Sequence, residues 1–230
     1  MSPLDASAPV VRLEKVTKMF DGSGQRTTAV RDISLEARRG EMILLLGPSG
    51  SGKTTLLTLI AGLARPTAGG VSLFGKSVEE YSATELQRLR ANRIGFVFQT
   101  FLLIDSLTAE ENVEIVLRFN GKRRAERAGT ARRLLGELGV GHLAGRFPRV
   151  MSQGEKQRVA IARAIANDAE LLIADEPTGS LETRQAVGII GLLHGQARAR
   201  RATVVVASHD LRLIEFADRT LRLQDGMMVG

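Results

Sequence analysis

Short apolar runs alternate along the chain with longer stretches of helical periodicity. Four of these runs are continuous and uncharged, as in strands that are covered on both faces: 42–46, 94–98, 171–174 and 204–207. Helical patterns lie between these runs at 55–61, 82–91 and 183–197, and the one over 82–91 begins with the capping-box sequence Ser82-Ala83-Thr84-Glu85. This alternation predicts an α/β fold with a mainly parallel core sheet.

A different pattern occurs near the N-terminus. Residues 10–17 alternate between apolar and polar side chains, 33–37 form a second short strand candidate, and 71–74 fit an antiparallel edge strand beside them. Alternation is typical of strands with one solvent-exposed face, so these segments predict an N-terminal antiparallel β subdomain. Near the other end of the chain, Asp225-Gly226 predicts a hairpin turn.

The stretch from residue 99 to about residue 148 contains charged helical segments and no strand candidate. A block of this kind between strand-rich regions is typical of an inserted α-helical subdomain. We therefore expect a single domain over 1–230, in which about 1–98 and 149–230 form the core with the antiparallel strands. The length of 230 residues is sufficient for one domain with such a subdomain.

Composition restricts the compartment and the kind of cofactor. The chain has no cysteine, which excludes disulfides and zinc sites built on thiolates and agrees with a reducing cytosol. No stretch approaches the roughly twenty apolar residues that a membrane-spanning helix needs. Residues 1–9 lack the layout of a signal peptide. We expect a polypeptide that is soluble when alone.

The formal net charge is +7, and basic residues are concentrated over 122–133. Such a run is either a solvated helix face or a surface near anionic lipid headgroups, and charge alone does not separate the two. With one Tyr and no Trp, the chain has few rings for stacking on single-stranded nucleic acid. No nucleic-acid partner is therefore expected.

A glycine-rich loop joins a predicted strand to a predicted helix: Gly47-Pro48-Ser49-Gly50-Ser51-Gly52-Lys53-Thr54-Thr55. In that setting the loop amides and the positive end of the helix dipole converge on one point, as phosphate binding requires. Lys53 can reach the β- and γ-phosphates, the Thr54 hydroxyl can complete the shell of a magnesium ion, and Thr55 continues the ring of donors. A turn that binds nothing is the alternative, and the presence of both Lys53 and Thr54 argues against it.

Two adjacent carboxylates, Asp175 and Glu176, follow the apolar run 171–174. Ligands of parallel α/β sheets bind at the carboxyl ends of strands, which is where this pair belongs. Asp175 is placed to hold the hydration shell of Mg²⁺, and Glu176 to orient and deprotonate an attacking water. Carboxylates that only cap a helix would give the same pair. Since Lys53 belongs at another strand end of the same sheet, we expect one triphosphate to be reached by both groups.

Five motifs in this order resemble those of ATP-binding-cassette (ABC) ATPases. They are the phosphate loop, Gln99 after the run 94–98, the segment Met151-Ser152-Gln153-Gly154-Glu155, the pair Asp175-Glu176, and Ser208-His209-Asp210. The resemblance covers nearly the whole chain. It implies a P-loop NTPase with a RecA-like core that binds ATP and Mg²⁺ and dimerises head to tail with a second copy of itself.

The resemblance implies roles for residues outside the phosphate loop. Gln99 matches a glutamine that contacts Mg²⁺ or water and adjoins the transmembrane partner. Ser152 and Gly154, in a segment with Gln153 and Glu155, match residues that contact the γ-phosphate held by the opposite subunit. The helix that begins here offers amides for an anion. For Ser152 alone, a plain helix N-cap is the open alternative.

Two further residues receive roles in the same way. His209 matches a histidine that hydrogen-bonds the γ-phosphate and holds Glu176 or the water in place, although a lone His at a strand end is commonly a surface residue. Phe20 lies where the family stacks an aromatic ring on adenine. A core position for Phe20 remains the alternative.

Three residues depart from the family pattern. Gln153 replaces a glycine close to the expected phosphate, so its side chain is expected to crowd or retune the interface between the two nucleotide sites. Glu155 replaces a glutamine, and Glu182 replaces an aspartate at the subunit junction. Because Lys53 and Glu176 are retained, we expect hydrolysis to survive.

The segments 96–113 and 175–182 resemble the subgroup of LolD, MacB, DevA and FtsE. This resemblance implies a separately folded transmembrane permease of the lipoprotein-release or macrolide-export type, with a periplasmic adaptor reached through the permease. It also implies a peripheral position on the cytoplasmic face of the bacterial inner membrane. An FtsE-like regulator of cell-wall hydrolysis is the first alternative. A soluble ABC ATPase of DNA repair or translation is the second, and the absence of nucleic-acid motifs argues against it.

Overall fold

The computed structural model describes residues 8–22, 25–119, 121 and 123–229. The strands in this part of the chain are β1 (Val11–Gly22), β2 (Gln25–Ala37), β3 (Met42–Leu46), β4 (Ala68–Leu73), β5 (Lys76–Ser77), β6 (Ile94–Phe98), β7 (Leu171–Asp175), β8 (Thr203–Ser208), β9 (Arg219–Gln224) and β10 (Met227–Val229). The α-helices are α1 (Lys53–Ile60), α2 (Ala83–Arg93), α3 (Ala109–Phe119), α4 (Arg124–Glu137), α5 (Gln153–Ile165) and α6 (Thr183–Arg200). Short 3₁₀ helices cover Val78–Glu80, Gly141–Leu143, Pro148–Val150 and Leu211–Phe216.

The core sheet has the strand order β10-β9-β3-β8-β7-β6. Strands β9, β3, β8, β7 and β6 are parallel to their neighbours, and β10 pairs antiparallel with β9 after the turn at Asp225-Gly226. The four continuous apolar runs are the four adjacent strands β3, β8, β7 and β6. The predicted α/β fold with a mainly parallel core sheet is therefore confirmed.

Both faces of the core sheet are covered, and side chains alternate between two hydrophobic cores. In β3, β7 and β8, even-numbered positions such as Leu44, Leu172 and Val206 pack with residues of α3, α4, α5 and α6. Odd-numbered positions such as Ile173 and Val205 pack with α1 and with the antiparallel strands. Burial on both sides explains why these strands read as continuous apolar runs.

The predicted antiparallel sheet is present, with two corrections. Its order is β2-β1-β4-β5, so β4 is an interior strand and not the edge strand expected of 71–74. After the turn at Gly75, the short strand β5 folds back and pairs with β4. Strand β2 begins at Gln25 and not at Ile33, because its exposed polar residues hydrogen-bond to β1 without an apolar pattern that would mark them.

Between β6 and β7 the described chain is helical, and α3 packs against α4 and α5. Asn112 of α3 is completely buried, and its side chain accepts a hydrogen bond from the backbone N–H of Ile104 and donates to the carbonyls of Ile104, Leu107 and Thr108. These bonds fix the loop that follows β6.

Lys122 of the basic run lies outside the described residues. Within the described ranges, the helices are too short or too polar to cross a membrane.

Close packing of β6 against α5 leads to a stability prediction. A Cβ atom at Gly95 would lie 2.1 Å from the backbone oxygen of Ala164. We expect Gly95→Ala to lower the free energy of unfolding by about 1–3 kcal/mol through overpacking, as measured by urea denaturation. Gly188→Ala in α6 is the control, because a Cβ there meets nothing within 4 Å. That variant should gain roughly 0.5–1 kcal/mol, and equal midpoints for the two variants would contradict the prediction.

Candidate nucleotide site

Four strands of the core sheet end at the same edge. Leu46 of β3 pairs with Ser208 of β8, and Asp175 of β7 pairs with both Ala207 of β8 and Phe98 of β6. The residues that follow these four strands therefore leave the sheet side by side: Gly47, Gln99, Glu176 and His209. This alignment brings together residues that are far apart in sequence.

The phosphate loop joins β3 to α1 and requires glycine at Gly52. This residue has φ 99°, and a Cβ atom on it would lie 2.2 Å from the backbone oxygen of Ala29 in β2. Gly52 is also the N-cap of α1, where no side chain caps the helix. The first amides of α1 and its positive dipole end are therefore available to an anion at this point.

Lys53 points into the loop. Its side chain is only 6% exposed, and Nζ donates to the carbonyl oxygens of Gly47 at 2.7 Å and Pro48 at 3.0 Å. Nζ also lies 3.5 Å from Oε1 of Glu176. The hydroxyl of Ser51 is buried beside the loop and has no hydrogen-bond partner among the described residues. The loop thus holds two donors that suit a polyphosphate, the Lys53 ammonium and the Ser51 hydroxyl.

Thr54 and Asp175 form a pair of oxygen ligands. The Thr54 hydroxyl donates to Oδ2 of Asp175 at 2.9 Å, whereas Oδ1 of Asp175 is buried without a hydrogen-bond partner in the described chain. Burial raises the pKa of the Asp175 carboxyl above its ordinary value, although the hydrogen bond from Thr54 opposes this shift. Mg²⁺ prefers oxygen ligands and commonly uses one or two protein carboxylates together with phosphate and water. The unpaired Oδ1 and the adjacent hydroxyl fit that ion.

Glu176 is held from several sides. Its backbone has φ 45°, which is uncommon for a residue with a side chain, and its N–H donates to the carbonyl of Ala207 at 2.9 Å. Oε2 accepts from the Ser208 hydroxyl at 3.3 Å and lies 3.0 Å from Nδ1 of His209. A carboxylate only accepts hydrogen bonds, so Nδ1 of His209 carries the proton of this contact. The structure therefore places Glu176 between the ammonium of Lys53 and the imidazole of His209.

Sequence reasoning gave Ser208 no role of its own. Its side chain is completely buried, donates to Glu176 and accepts from the backbone N–H of Asp210 at 3.1 Å. The only sequence signal was its place between an apolar run and His209. The contacts assign Ser208 to the support of the Glu176 carboxylate.

The turn after Glu176 connects Gln99 to α5. A Cβ atom at Gly179 would lie 2.8 Å from Nε2 of Gln99, so the amide of Gln99 packs where a larger residue would collide. The Ser180 hydroxyl donates to the carbonyl of Gln99 at 3.4 Å. On the other side, the buried side chain of Gln157 in α5 donates to the carbonyl of Pro177 at 2.7 Å. Gly179 and Gln157 are two further contacts that sequence reasoning missed.

Ser152 begins α5 through a capping box. Its hydroxyl and its backbone N–H donate to Oε2 of Glu155 at 2.9 and 2.8 Å, and the N–H of Glu155 donates to the Ser152 hydroxyl at 3.3 Å. These bonds, the backbone one first, lower the pKa of the Glu155 carboxyl. Among the hydrogen bonds of the described residues, none joins 152–155, which includes Gln153 and Gly154, to the phosphate loop. Within the described chain, the start of α5 and the phosphate loop are therefore not linked by hydrogen bonds.

Phe20 does not belong to a hydrophobic core. Its side chain is 48% exposed, with the ammonium of Lys18 5.2 Å from the ring centroid. Phe20 pairs with Thr27 across the β1–β2 hairpin, and β2 reaches the phosphate loop at Ala29. The core alternative for Phe20 is therefore wrong, and its ring is open to a ligand on the strand pair beside the loop.

Comparison with known proteins supplies the family. A family profile described as ABC transporter matches residues 30–179, a span that contains the phosphate loop, Gln99, Ser152 and both carboxylates. The chain belongs to the ABC transporter family. This match confirms two predictions from the sequence: the fold is that of an ABC ATPase, and the protein is an ATPase.

Two curated ABC proteins illustrate the range of relatives. The putative hemin import ATP-binding protein HrtA of Staphylococcus haemolyticus is 38% identical, over 94% of this chain and 97% of the relative. The macrolide export ATP-binding/permease protein MacB of Agrobacterium fabrum is 35% identical over 96% of this chain. The chain spans only 34% of the length of that MacB protein.

Solved ABC cassettes share the fold. The dimeric structure of MJ0796, a bacterial ABC transporter cassette, matches with a TM-score of 0.89 and 37% identity, over 96% of this chain and 97% of that one. A post-hydrolysis state of the same cassette bound to ADP and Pi matches with a TM-score of 0.88. The similarity therefore extends over nearly the whole of both chains.

Proposed function

We propose that this chain is the ATP-binding and hydrolysing subunit of a transporter and that it acts as a dimer beneath a separate membrane permease. The observation that carries the proposal is the convergence of Lys53, Asp175, Glu176 and His209 at one sheet edge, next to the N-terminus of α1. These residue types are those that hold a triphosphate and activate a water against it.

In the proposed reaction, water attacks the γ-phosphorus of ATP, and ADP and phosphate are released. Glu176 orients the water and accepts its proton, while His209 and Ser208 hold the Glu176 carboxylate in position. Lys53 transfers its donors from the carbonyls of the loop to the phosphate oxygens, where it neutralises charge. Thr54, Asp175 and Gln99 are the residues that would hold Mg²⁺, which when bound neutralises charge on the β- and γ-phosphates.

We propose a head-to-tail dimer in which Ser152 and Gly154 of one copy meet the γ-phosphate held by the other. The lack of any hydrogen bond between 152–155 and the phosphate loop within the described chain supports this arrangement, as does the dimeric state of the related MJ0796 cassette. Phe20, exposed beside the loop, is the proposed stacking partner for adenine. ATP then links the two copies, and hydrolysis releases them.

The proposed partner is a permease of the lipoprotein-release or macrolide-export type, with an adaptor on the far side of the membrane. MacB, whose name includes both ATP-binding and permease functions, supports a membrane partner, since this chain matches only about a third of it. We propose a peripheral position on the cytoplasmic face of the bacterial inner membrane. The loop that begins at Gln99 would transmit the motion of the dimer to the permease.

Copurification tests the partner. The tagged chain, expressed in its own organism, should recover the product of a neighbouring reading frame that encodes a four-helix permease with a large extracytoplasmic domain. Recovery of a cell-division membrane protein with cell-wall hydrolases would favour the FtsE-like alternative. A tagged chain that remains outside the membrane fraction and recovers nucleic acid would overturn the proposal.

The capping box of α5 leads to a prediction about the dimer. In the proposed complex, Ser152 must exchange its bonds to the Glu155 carboxylate for bonds to phosphate, and that carboxylate also opposes a second anion at the helix start. Since hydrogen bonds to charged groups contribute roughly 1.5–3 kcal/mol, we expect Glu155→Gln to strengthen ATP-dependent dimerisation by about tenfold. Sedimentation at saturating ATP, in a background with hydrolysis blocked, measures the dissociation constant.

The chain offers a matched control for this prediction. Ser82 and Glu85 form the same capping box at α2, with hydrogen bonds of 2.8 and 3.2 Å, and neither has a proposed role in the site. Glu85→Gln should weaken its helix start to the same extent and leave the dimer unchanged. If Glu155→Gln weakens the dimer, or if both substitutions change it equally, the competition between Glu155 and phosphate is wrong.

A further inference from the structure

An apolar groove lies between the end of α2, strand β6 and helices α3 and α5. Its volume is about 580 Å³, and its apolar lining includes Ile94, Phe96, Ile104 and Val116. At the rim, Phe119 is 77% exposed and Leu63 is 55% exposed. Exposed apolar surface of this extent around a concave site is typical of a docking surface for another protein.

The charges in this groove have only one sign. Two guanidinium groups, those of Arg90 and Arg163, contribute to its lining, and none of the described residues that line it is acidic. Arg90 donates to the backbone oxygen of Gly62 at 2.9 Å. Arg163 donates to the backbone oxygens of Phe101 and Leu102. In the described part of the chain, neither guanidinium forms an ion pair.

Arg163 is a partly buried cation. Burial lowers the pKa of its guanidinium, and no carboxylate among the described residues opposes the shift. A guanidinium has five N–H donors, and only two of its bonds are made within the described chain. A wholly apolar partner laid over this group would bury an uncompensated cation, which is strongly unfavourable.

We infer that the segment of the membrane partner that occupies this groove is an apolar helix or turn carrying a carboxylate, which pairs with Arg163. A carboxylate accepts two parallel hydrogen bonds from a guanidinium and supplies the missing charge. The inference rests on the proposed function, because it takes the occupant from the permease. It adds the chemistry by which that occupant is recognised.

Arg163 also connects the proposed carboxylate to the candidate nucleotide site through the turn that follows Gln99. Phe101 and Leu102, whose carbonyls Arg163 binds, have φ values of 61° and 46°. Two consecutive non-glycine residues in this region are unfavourable unless their surroundings hold them. An incoming carboxylate would bind the remaining donors of the same guanidinium that holds these carbonyls. Docking at the groove is thereby linked through Arg163 to a turn that begins two residues beyond Gln99.

The absence of cysteine allows a direct test with the full chain. Phe119→Cys places a single thiol at the rim of the groove, where it exchanges disulfides with thiol-bearing amphipathic helical peptides. Three peptides share one apolar face and differ only in a central Glu, Gln or Lys. Mass spectrometry at fixed glutathione gives the equilibrium preference, and we expect Glu to exceed Gln by about tenfold, since charge-assisted pairs are roughly twice as strong as neutral ones.

Two controls isolate Arg163. Val150→Cys, at an exposed position beside exposed Arg149, reports the general attraction of a basic protein for acidic peptides. The Phe119→Cys protein should prefer the Glu peptide over the Gln peptide more strongly than this control does. Adding Arg163→Gln should abolish this excess, and adding Arg163→Lys should retain part of it. Adding Arg90→Gln should leave most of it. If the Phe119→Cys protein captures the Glu and Gln peptides equally, the inference is wrong. It is also wrong if the preference for the Glu peptide survives Arg163→Gln.

Failure here differs from failure of the proposed function. If the permease copurifies but the peptides show no preference for Glu, the partner is right and its acidic group is wrong. If the permease does not copurify, the proposed function itself fails. Peptide exchange does not depend on ATP turnover, so the two results are independent.

Discussion

Replacing Glu176 by Gln is expected to lower ATP hydrolysis by about 10²–10³-fold while ATP binding is retained. The carboxylate lies 3.5 Å from Nζ of Lys53 and 3.0 Å from Nδ1 of His209, and it is the group best placed to accept a proton from water. General bases contribute typically 10²–10⁴-fold to a rate. Gln keeps the size and one hydrogen-bond acceptor but cannot take the proton. Phosphate release at saturating ATP measures the loss.

The same variant should accumulate as an ATP-bound dimer, because the step that releases the two copies no longer occurs. Size-exclusion chromatography with light scattering should show twice the monomer mass with ATP and the monomer without it. Glu80→Gln removes the same charge from an exposed position remote from the site and serves as the control. A Glu176→Gln protein that hydrolyses ATP normally, or that stays monomeric with ATP, contradicts the assigned role.

Lys53→Met is expected to weaken ATP binding by about 10–100-fold. The ammonium of Lys53 is buried and donates to the carbonyls of Gly47 and Pro48. Hydrogen bonds to charged groups are worth roughly 1.5–3 kcal/mol, and Met occupies similar space without donors or charge. Isothermal titration with a non-hydrolysable ATP analogue gives the dissociation constant.

Lys76→Met tests whether the effect is specific to this ammonium. Lys76 lies on β5 near Tyr81 and Glu85, remote from the loop, and its removal lowers the net charge by the same amount. It should bind the analogue with the affinity of the unaltered protein. Equal affinities for Lys53→Met and Lys76→Met would show that Lys53 does not contact the phosphates.

Much of the fold was predictable because the core strands are buried on both faces. Continuous apolar runs such as 204–207 have no other stable place than an interior sheet, and the capping box at Ser82 marked the start of α2. The extent of β2 was not predictable in the same way. Its N-terminal half is exposed and polar, so pairing with β1, and not sequence pattern, defines it.

The residues of the candidate site likewise fall into those that the sequence predicted and those that it did not. Lys53, Asp175 and His209 carry their chemistry in their residue types, so their positions at strand ends were sufficient to single them out. The support given by Ser208 and the space left by Gly179 depend on which side chains meet across the turn after Glu176. Small residues of this kind give no signal of their own. The basic lining of the groove likewise cannot be seen in the sequence, because Arg90 of α2 and Arg163 of α5 meet only in the folded chain.

Side chains of the core strands alternate between two hydrophobic cores, so the number of residues in β7 determines to which side Asp175 points. In β7, Leu172 and Ala174 face one core, and Leu171 and Ile173 face the other. One added or deleted residue within this strand would send each side chain beyond it to the opposite side. Asp175 would then turn away from Thr54, even with every catalytic residue type still present. The spacing between strand and carboxylate is therefore as much a part of the enzyme as the carboxylate itself.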